Sequence, residues 1–164
     1  KKSTIIILAV VAVLVIWGVT GYNGLVKMEE NVDTSWANVE TQYQRRLDLI
    51  PNLVSTVKGY AAHEQETLSS VIEARSRATQ VTVDPKNLTP EKMAEFQKAQ
   101  GDVSNALSRL LVVRENYPDL KASQQFIELQ AQLEGTENRI AVARKNFTPL
   151  INTTKEFDYS QRIY

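Results

Sequence analysis

Residues 32–57 read VDTSWANVETQYQRRLDLIPNLVSTV, and the spacing of their apolar side chains decides the fold. Val32, Trp36, Val39, Tyr43, Leu47, Ile50, Val54 and Val57 recur every three or four positions, and Ala61, Glu64 and Leu68 continue the series. Ten steps over 36 residues give a mean of 3.6, the period of an α-helix. Pro51 falls inside this stripe. It has no N–H to donate and its ring crowds the Leu47 carbonyl, so a kink is expected, with Asn52 as a side chain able to satisfy the freed carbonyl. The flanking Leu49, Ile50, Asn52 and Leu53 hold no glycine or polar turn cluster. One bent helix is therefore predicted to run on to about Ala78.

Working toward the amino terminus, residues 5–19 read IIILAVVAVLVIWGV without a charged side chain. With Ser3, Thr4 and Thr20 to Tyr22 added, the segment reaches about 20 residues and roughly 30 Å as a helix, and residues 5–22 are read as the transmembrane helix. Eleven of the fifteen are Leu, Ile or Val, which together favour insertion into a bilayer by roughly 3–7 kcal/mol. Trp17 and Tyr22 suit the far interface. A cleaved signal processed at Val19-Thr20-Gly21 is the competing reading; an anchor is the reading carried forward. Lys1 and Lys2, against the acids Glu29, Glu30 and Asp33, place residues 1–4 in the cytoplasm and residues 23–164 outside it, as a periplasmic or extracellular bundle on a bacterial cell membrane.

Working toward the carboxyl terminus, residues 79–89 hold Val81, Val83, Asp84, Pro85 and Asn87 and read as a loop. Thr89-Pro90-Glu91 is a helix start: a hydroxyl cap, proline at the first position and an acid in the first turn. Met93, Phe96, Val103, Leu107 and Leu110 mark this helix, which stops before Pro118. Ser123 caps a further helix through Phe126, Leu129, Leu133, Ile140 and Phe147, which Pro149 ends or kinks. No strand-like alternation appears. The expectation is an all-α protein: one transmembrane helix, then an up-and-down antiparallel bundle of three to four helices with coiled-coil-like packing.

Composition narrows the chemistry. There are 19 basic and 19 acidic residues; without Lys1 and Lys2 the remainder carries 17 against 19 and lacks the basic face that nucleic-acid binding needs. Absence of cysteine removes disulfides, thiolate nucleophiles and thiolate metal sites. His63 is the single histidine, and position 67 holds Thr where a zinc-protease helix needs a second one. Glu64 is expected to pair with a Lys or Arg of another helix. Arg45, Arg46 and Asp48 are read as an ion-pair network tying the kink to Glu115 or Glu134, with a docking surface as the alternative. Tyr117 and Pro118 mark the turn between the later helices. No catalytic residue, cofactor or metal is predicted.

Helix lengths carry an expectation about assembly. Residues 31–78 as one helix would span about 72 Å, while the two later helices span roughly 40 Å each. Val32, Trp36, Val39 and Tyr43 would then lack intrachain partners and, with Arg45, Arg46 and Asp48, form the candidate interaction surface. Either the tail after Pro149 or other copies of the chain would cover them, so homo-oligomerisation is expected.

Several runs resemble a known family: Gln44-Arg45-Arg46, Asp48-Leu49-Ile50-Pro51-Asn52-Leu53-Val54, Val57-Lys58-Gly59-Tyr60-Ala61, His63-Glu64, Glu115-Asn116-Tyr117-Pro118-Asp119-Leu120-Lys121-Ala122, and the stretch from Leu133 to Ile140. In these the chain is similar to the LemA family over residues 22–147. The resemblance implies a bacterial membrane protein with a helical bundle and no established enzymatic activity. The function expected is a non-catalytic, membrane-anchored scaffold or adaptor that self-assembles or docks onto another membrane protein, such as a protease or transporter. An extracytoplasmic ligand-binding sensor and an extracytoplasmic hydrolase are the alternatives.

Overall fold

A computed structural model describes residues 2–85 and 89–161, with side chains over 6–85 and 89–150. Five α-helices follow one another: α1 (Lys2–Tyr60), α2 (Gln65–Gln80), α3 (Pro90–Val113), the short α4 (Pro118–Lys121) and α5 (Gln124–Gln161), with a 3-10 turn at Arg114–Asn116. The all-α reading holds. Contacts set the topology: Arg75 of α2 reaches Leu47 of α1, and Arg46, Gln42 and Trp36 of α1 meet Glu137, Arg139 and Phe147 of α5. Both α2 and α5 therefore run antiparallel to α1. Tyr43 and Arg46 meet Phe96 and Ser104, so α3 runs parallel to it. The result is an up-and-down four-helix bundle built on the second half of α1.

The expected single helix to Ala78 is overturned. α1 stops at Tyr60, and Ala61-Ala62-His63-Glu64 reverses the chain. Three backbone bonds hold the reversal: Ala61 N–H to Val57 O (2.8 Å), Glu64 N–H to Ala61 O (3.1 Å) and Leu68 N–H to Glu64 O (3.0 Å). Among the described residues none has a positive φ, so no left-handed residue marks the stop. The cause is tertiary. Leu68, Val71, Ala74 and Ala78 are all buried; on a continued helix they would project bare beyond the bundle, while the reversal lays them against α1 and α3.

α1 runs through Pro51, as the phase of the stripe requires. The carbonyl that Pro51 leaves without a partner is that of Leu47, and it accepts from Arg75 Nε at 2.9 Å. This corrects the role expected of Asn52, whose side chain is exposed. Residues 81–85 of the expected loop and both caps lie where the sequence put them, Asn87 and its neighbours at 86–88 lying outside the described residues: Thr89 Oγ1 accepts from Lys92 N–H at 3.3 Å, and Ser123 Oγ from Phe126 N–H at 3.4 Å. α5 is not ended by Pro149 but continues through it.

Two apolar cores stack along the bundle. The distal one joins Leu47, Ile50, Leu53 and Val57 to Leu68, Val71, Val103, Leu110, Phe126 and Leu133. The other, nearer the apolar end of α1, joins Trp36, Val39 and Tyr43 to Val83, Phe96, Ile140 and Phe147. Here a second expectation falls: Trp36, Val39 and Tyr43 are 3%, 2% and 5% exposed within one chain. Because α1 turns back at Tyr60, the bundle is short enough for α3 and α5 to cover its base. Before the bundle the picture inverts, and every large apolar side chain from Ile6 to Val26 is exposed. This stretch makes α1 long and apolar enough to cross a membrane.

Candidate functional site

Arg46 lies between the two cores and is the largest fully buried side chain. Its place follows from the finer spacing of α1, where Trp36, Val39, Tyr43, Arg46, Ile50, Leu53 and Val57 alternate by three and four residues and all are buried. Arg46 thus occupies a core position that an aliphatic residue would ordinarily fill. A guanidinium out of water needs partners for its donors. Nη1 donates to Ser104 Oγ (2.8 Å) and Glu137 Oε1 (2.9 Å), and Nη2 to the Gln100 carbonyl (3.0 Å) and Gln100 Oε1 (2.5 Å). The guanidinium carbon also stands 5.2 Å from the Tyr43 ring centroid. Nε has no partner. Removing one member of a fully buried pair costs about 3–5 kcal/mol, and solvent at the half-exposed Glu137 reduces that cost here.

One side chain of α1 is thereby tied to two helices, α3 through Gln100 and Ser104 and α5 through Glu137. The Glu137 side chain is 46% exposed, against 2% for Arg46, so the layer opens to solvent on one side. That side is a groove of about 500 Å³ between α3 and α5, floored by Leu107, Leu111 and Leu133. The most extensive helix contacts lie elsewhere, between α1 and α5 and between α2 and α3. The seam between α3 and α5 is crossed by polar bridges: the Arg46 layer, and the hydrogen bond between Arg114 Nη1 and Gln130 Oε1 nearer the tip.

Below the layer, Trp36 stacks edge-on to Phe96 (centroids 5.3 Å) and tilted against Phe147 (5.0 Å), and Tyr43 meets Phe96 at 5.1 Å. Trp36 Nε1 is buried without a hydrogen-bond partner among the described residues. Above it, at the far pole, the α1–α2 reversal meets the connection into α5. Tyr117 Oη donates to Glu64 Oε1 at 3.1 Å, which raises the phenol pKa above its ordinary value. Glu115 accepts from Lys121 Nζ (2.7 Å) and Arg114 Nε (3.0 Å), and these cations, Lys121 first, lower its carboxyl pKa.

The residues singled out in the sequence divide accordingly. Trp36, Val39, Tyr43 and Arg46 are interior, Val32 is half-buried, and Arg45 and Asp48 are exposed. The expected network of Arg45, Arg46 and Asp48 with Glu115 or Glu134 is not formed: Arg46 pairs with Glu137, Asp48 accepts from Gln44, and Glu134 from Gln130. Glu64 takes a phenol where a Lys or Arg was expected, because the reversal removes it from the α1 stripe. His63 is exposed in the turn. Sequence reasoning missed Arg75, Gln100, Ser104 and Glu137. Among the described residues no group of three or more His, Cys, Asp or Glu is gathered as for a metal ion.

These features define a class: a helical bundle hung on one helix with a long apolar end, organised around a buried polar layer. The chain belongs to the LemA family, whose profile matches residues 35–160. It is similar to the magnetosome proteins MamQ 1 of Paramagnetospirillum magneticum (27% identical over 149 residues, 80% of this chain and 55% of the relative) and MamQ of Magnetospirillum gryphiswaldense (27% over 143 residues, 77% and 53%). It is also similar to the protein LemA of Metamycoplasma hominis (22% over 142 residues, 87% and 59%). The chain spans a little over half the length of these relatives.

Proposed function

We propose that this protein is a membrane-anchored helical scaffold or adaptor that acts by binding, through self-assembly or by docking onto another membrane protein. One observation carries the reading. A single unbroken helix, α1, exposes its apolar side chains over its first turns and then becomes the central strut of a folded bundle. Fourteen large aliphatic and aromatic side chains exposed between Ile6 and Val26 are costly in water and favourable in lipid. The positive-inside rule supports a cytoplasmic Lys1 end with the bundle on the opposite side. Kinship with a magnetosome protein and with a mycoplasma LemA protein supports a membrane-associated helical protein, and the reading assigns the bundle no chemistry of its own.

With Trp36, Val39 and Tyr43 committed to the chain's own core, assembly has to use outer faces: Arg45, Asp48, and the exposed Ile72, Val112, Ile127 and Val142. Cross-linking in intact membranes followed by mass spectrometry tests the proposal. Cross-links from lysines of the bundle to a second copy or to another membrane protein are expected. A protein that is released from membranes by carbonate and is monomeric by light scattering would falsify it.

A further inference from the structure

We propose that Arg46 is a register lock, fixing the axial and rotational position of α1 against α3 and α5. The inference goes beyond the scaffold reading and stands whether or not the apolar end of α1 lies in a bilayer.

A stack of apolar side chains at three-four spacing is nearly degenerate under a slip of one turn, because each side chain then meets a similar one. The distal core is of this kind, with Ile50, Leu53 and Val57 facing Leu, Val and Ala on α2 and α3. A guanidinium is not degenerate. Slipping α1 by one turn, roughly 5.4 Å, carries Nη1 and Nη2 out of reach of Glu137 Oε1 and both Gln100 oxygens. It would leave a charge between two apolar cores with its donors unpaired. Arg46 is a buried side chain whose hydrogen bonds tie α1 to α3 and α5 at once, and α1 is the helix that extends out of the bundle as a bare apolar rod. The lock therefore sits above the aromatic base, on the helix that carries a push, pull or twist on that rod into the bundle. Buried polar groups are best attested in this registry role, often without adding to stability.

The test uses the full chain in detergent, with cysteine pairs as rulers along α1 and α5. Gln42→Cys with Arg139→Cys is the in-register pair, since Arg139 Nε donates to Gln42 Oε1 at 3.1 Å, and each pair is joined by a short bifunctional thiol cross-linker. Asn38→Cys with Arg139→Cys is displaced from it by about one turn and Gln42→Cys with Asn146→Cys by about two, in opposite directions. With Arg46 in place, the in-register cross-link should form at least about tenfold faster than either offset pair. In an Arg46→Met/Gln100→Leu background, which removes the charge and the amide it bonds, that preference should fall to about threefold or less. Helix content by circular dichroism and Trp36 emission report folding. A folded variant that keeps the tenfold preference overturns the proposal, even if it melts at a lower temperature. Should the double variant not fold, Glu137→Gln supplies the decision, since the side chain it changes is half exposed. A drop in preference there supports the lock, and an unchanged preference overturns it.

Discussion

The two cores of the bundle solve the same packing problem with different means. Near the apolar end of α1, the work falls to a few large rings: Trp36 and Tyr43 set edge-on and tilted against Phe96 and Phe147. Toward the far pole, many smaller side chains share it, and Ala61, Ala74, Ala78, Ala99 and Ala106 let the helices approach closely. The difference teaches where the molecule is vulnerable. A core of few large members loses a big fraction of its contacts with any one of them, whereas the aliphatic core spreads its stabilisation.

Trp36→Ala should have the largest effect, a loss of about 3–5 kcal/mol in thermal or urea unfolding. Hydrogen exchange should show it confined to the base, with the first turns of α3 and the Phe147 region opening while α2 and the distal turn stay protected. Uniform loss of protection would show that the two cores are one cooperative unit. Next comes the proline. Arg75→Ala should cost about 1.5–3 kcal/mol by leaving the Leu47 carbonyl without its charged donor. In a Pro51→Ala background the backbone N–H returns to that carbonyl, so the same change should cost at least about 1 kcal/mol less. Additive effects in this cycle would refute the assigned partnership.

Smaller effects belong to the far pole. Tyr117→Phe should lower the melting temperature slightly by deleting the bond to Glu64. Because the Tyr117 phenol is raised in the fold, its contribution is complete below the ordinary phenol value of about 10 and is lost as pH rises through the raised value. An alkaline melting series should therefore be flatter in Tyr117→Phe. Glu115 works with the opposite sign. Its lowered carboxyl contributes above the ordinary value of about 4.3 and loses that contribution as pH falls. Glu115→Gln should soften the acid limb by the least of all these changes, since solvent screens this exposed pair.

Much of this architecture was legible because helix periodicity survives in a single sequence. Thr89-Pro90 and Ser123 announced their helices through local chemistry, and the run from Val32 to Val57 announced α1 through its stripe. The reversal at 61–64 was not legible. Ala-Ala-His-Glu carries no glycine, proline or asparagine, and Glu64 and Leu68 continue the phase of α1 by coincidence, so only the burial of α2 decides it. The missed turn propagated, making the base of the bundle look uncovered and Trp36 look like a docking residue. Arg46 did leave a signal. The strict three-four line through Trp36, Val39, Tyr43, Ile50, Leu53 and Val57 passes through position 46, but a charged residue beside Arg45 reads as surface until the donors on α3 and α5 are seen.

The length of α1 carries a mechanical consequence. From Lys27, the first charge after the bare segment, to Tyr60 at the tip is 33 residues of continuous helix, roughly 50 Å. With the lower end gripped by a bilayer, the bundle behaves as a mast. A lean of 10° at the foot sweeps the Tyr60–His63 tip sideways by roughly 9 Å, about the spacing between packed helices. Changes in bilayer thickness that alter the angle of a span by a few degrees would thus be magnified at the end farthest from the lipid.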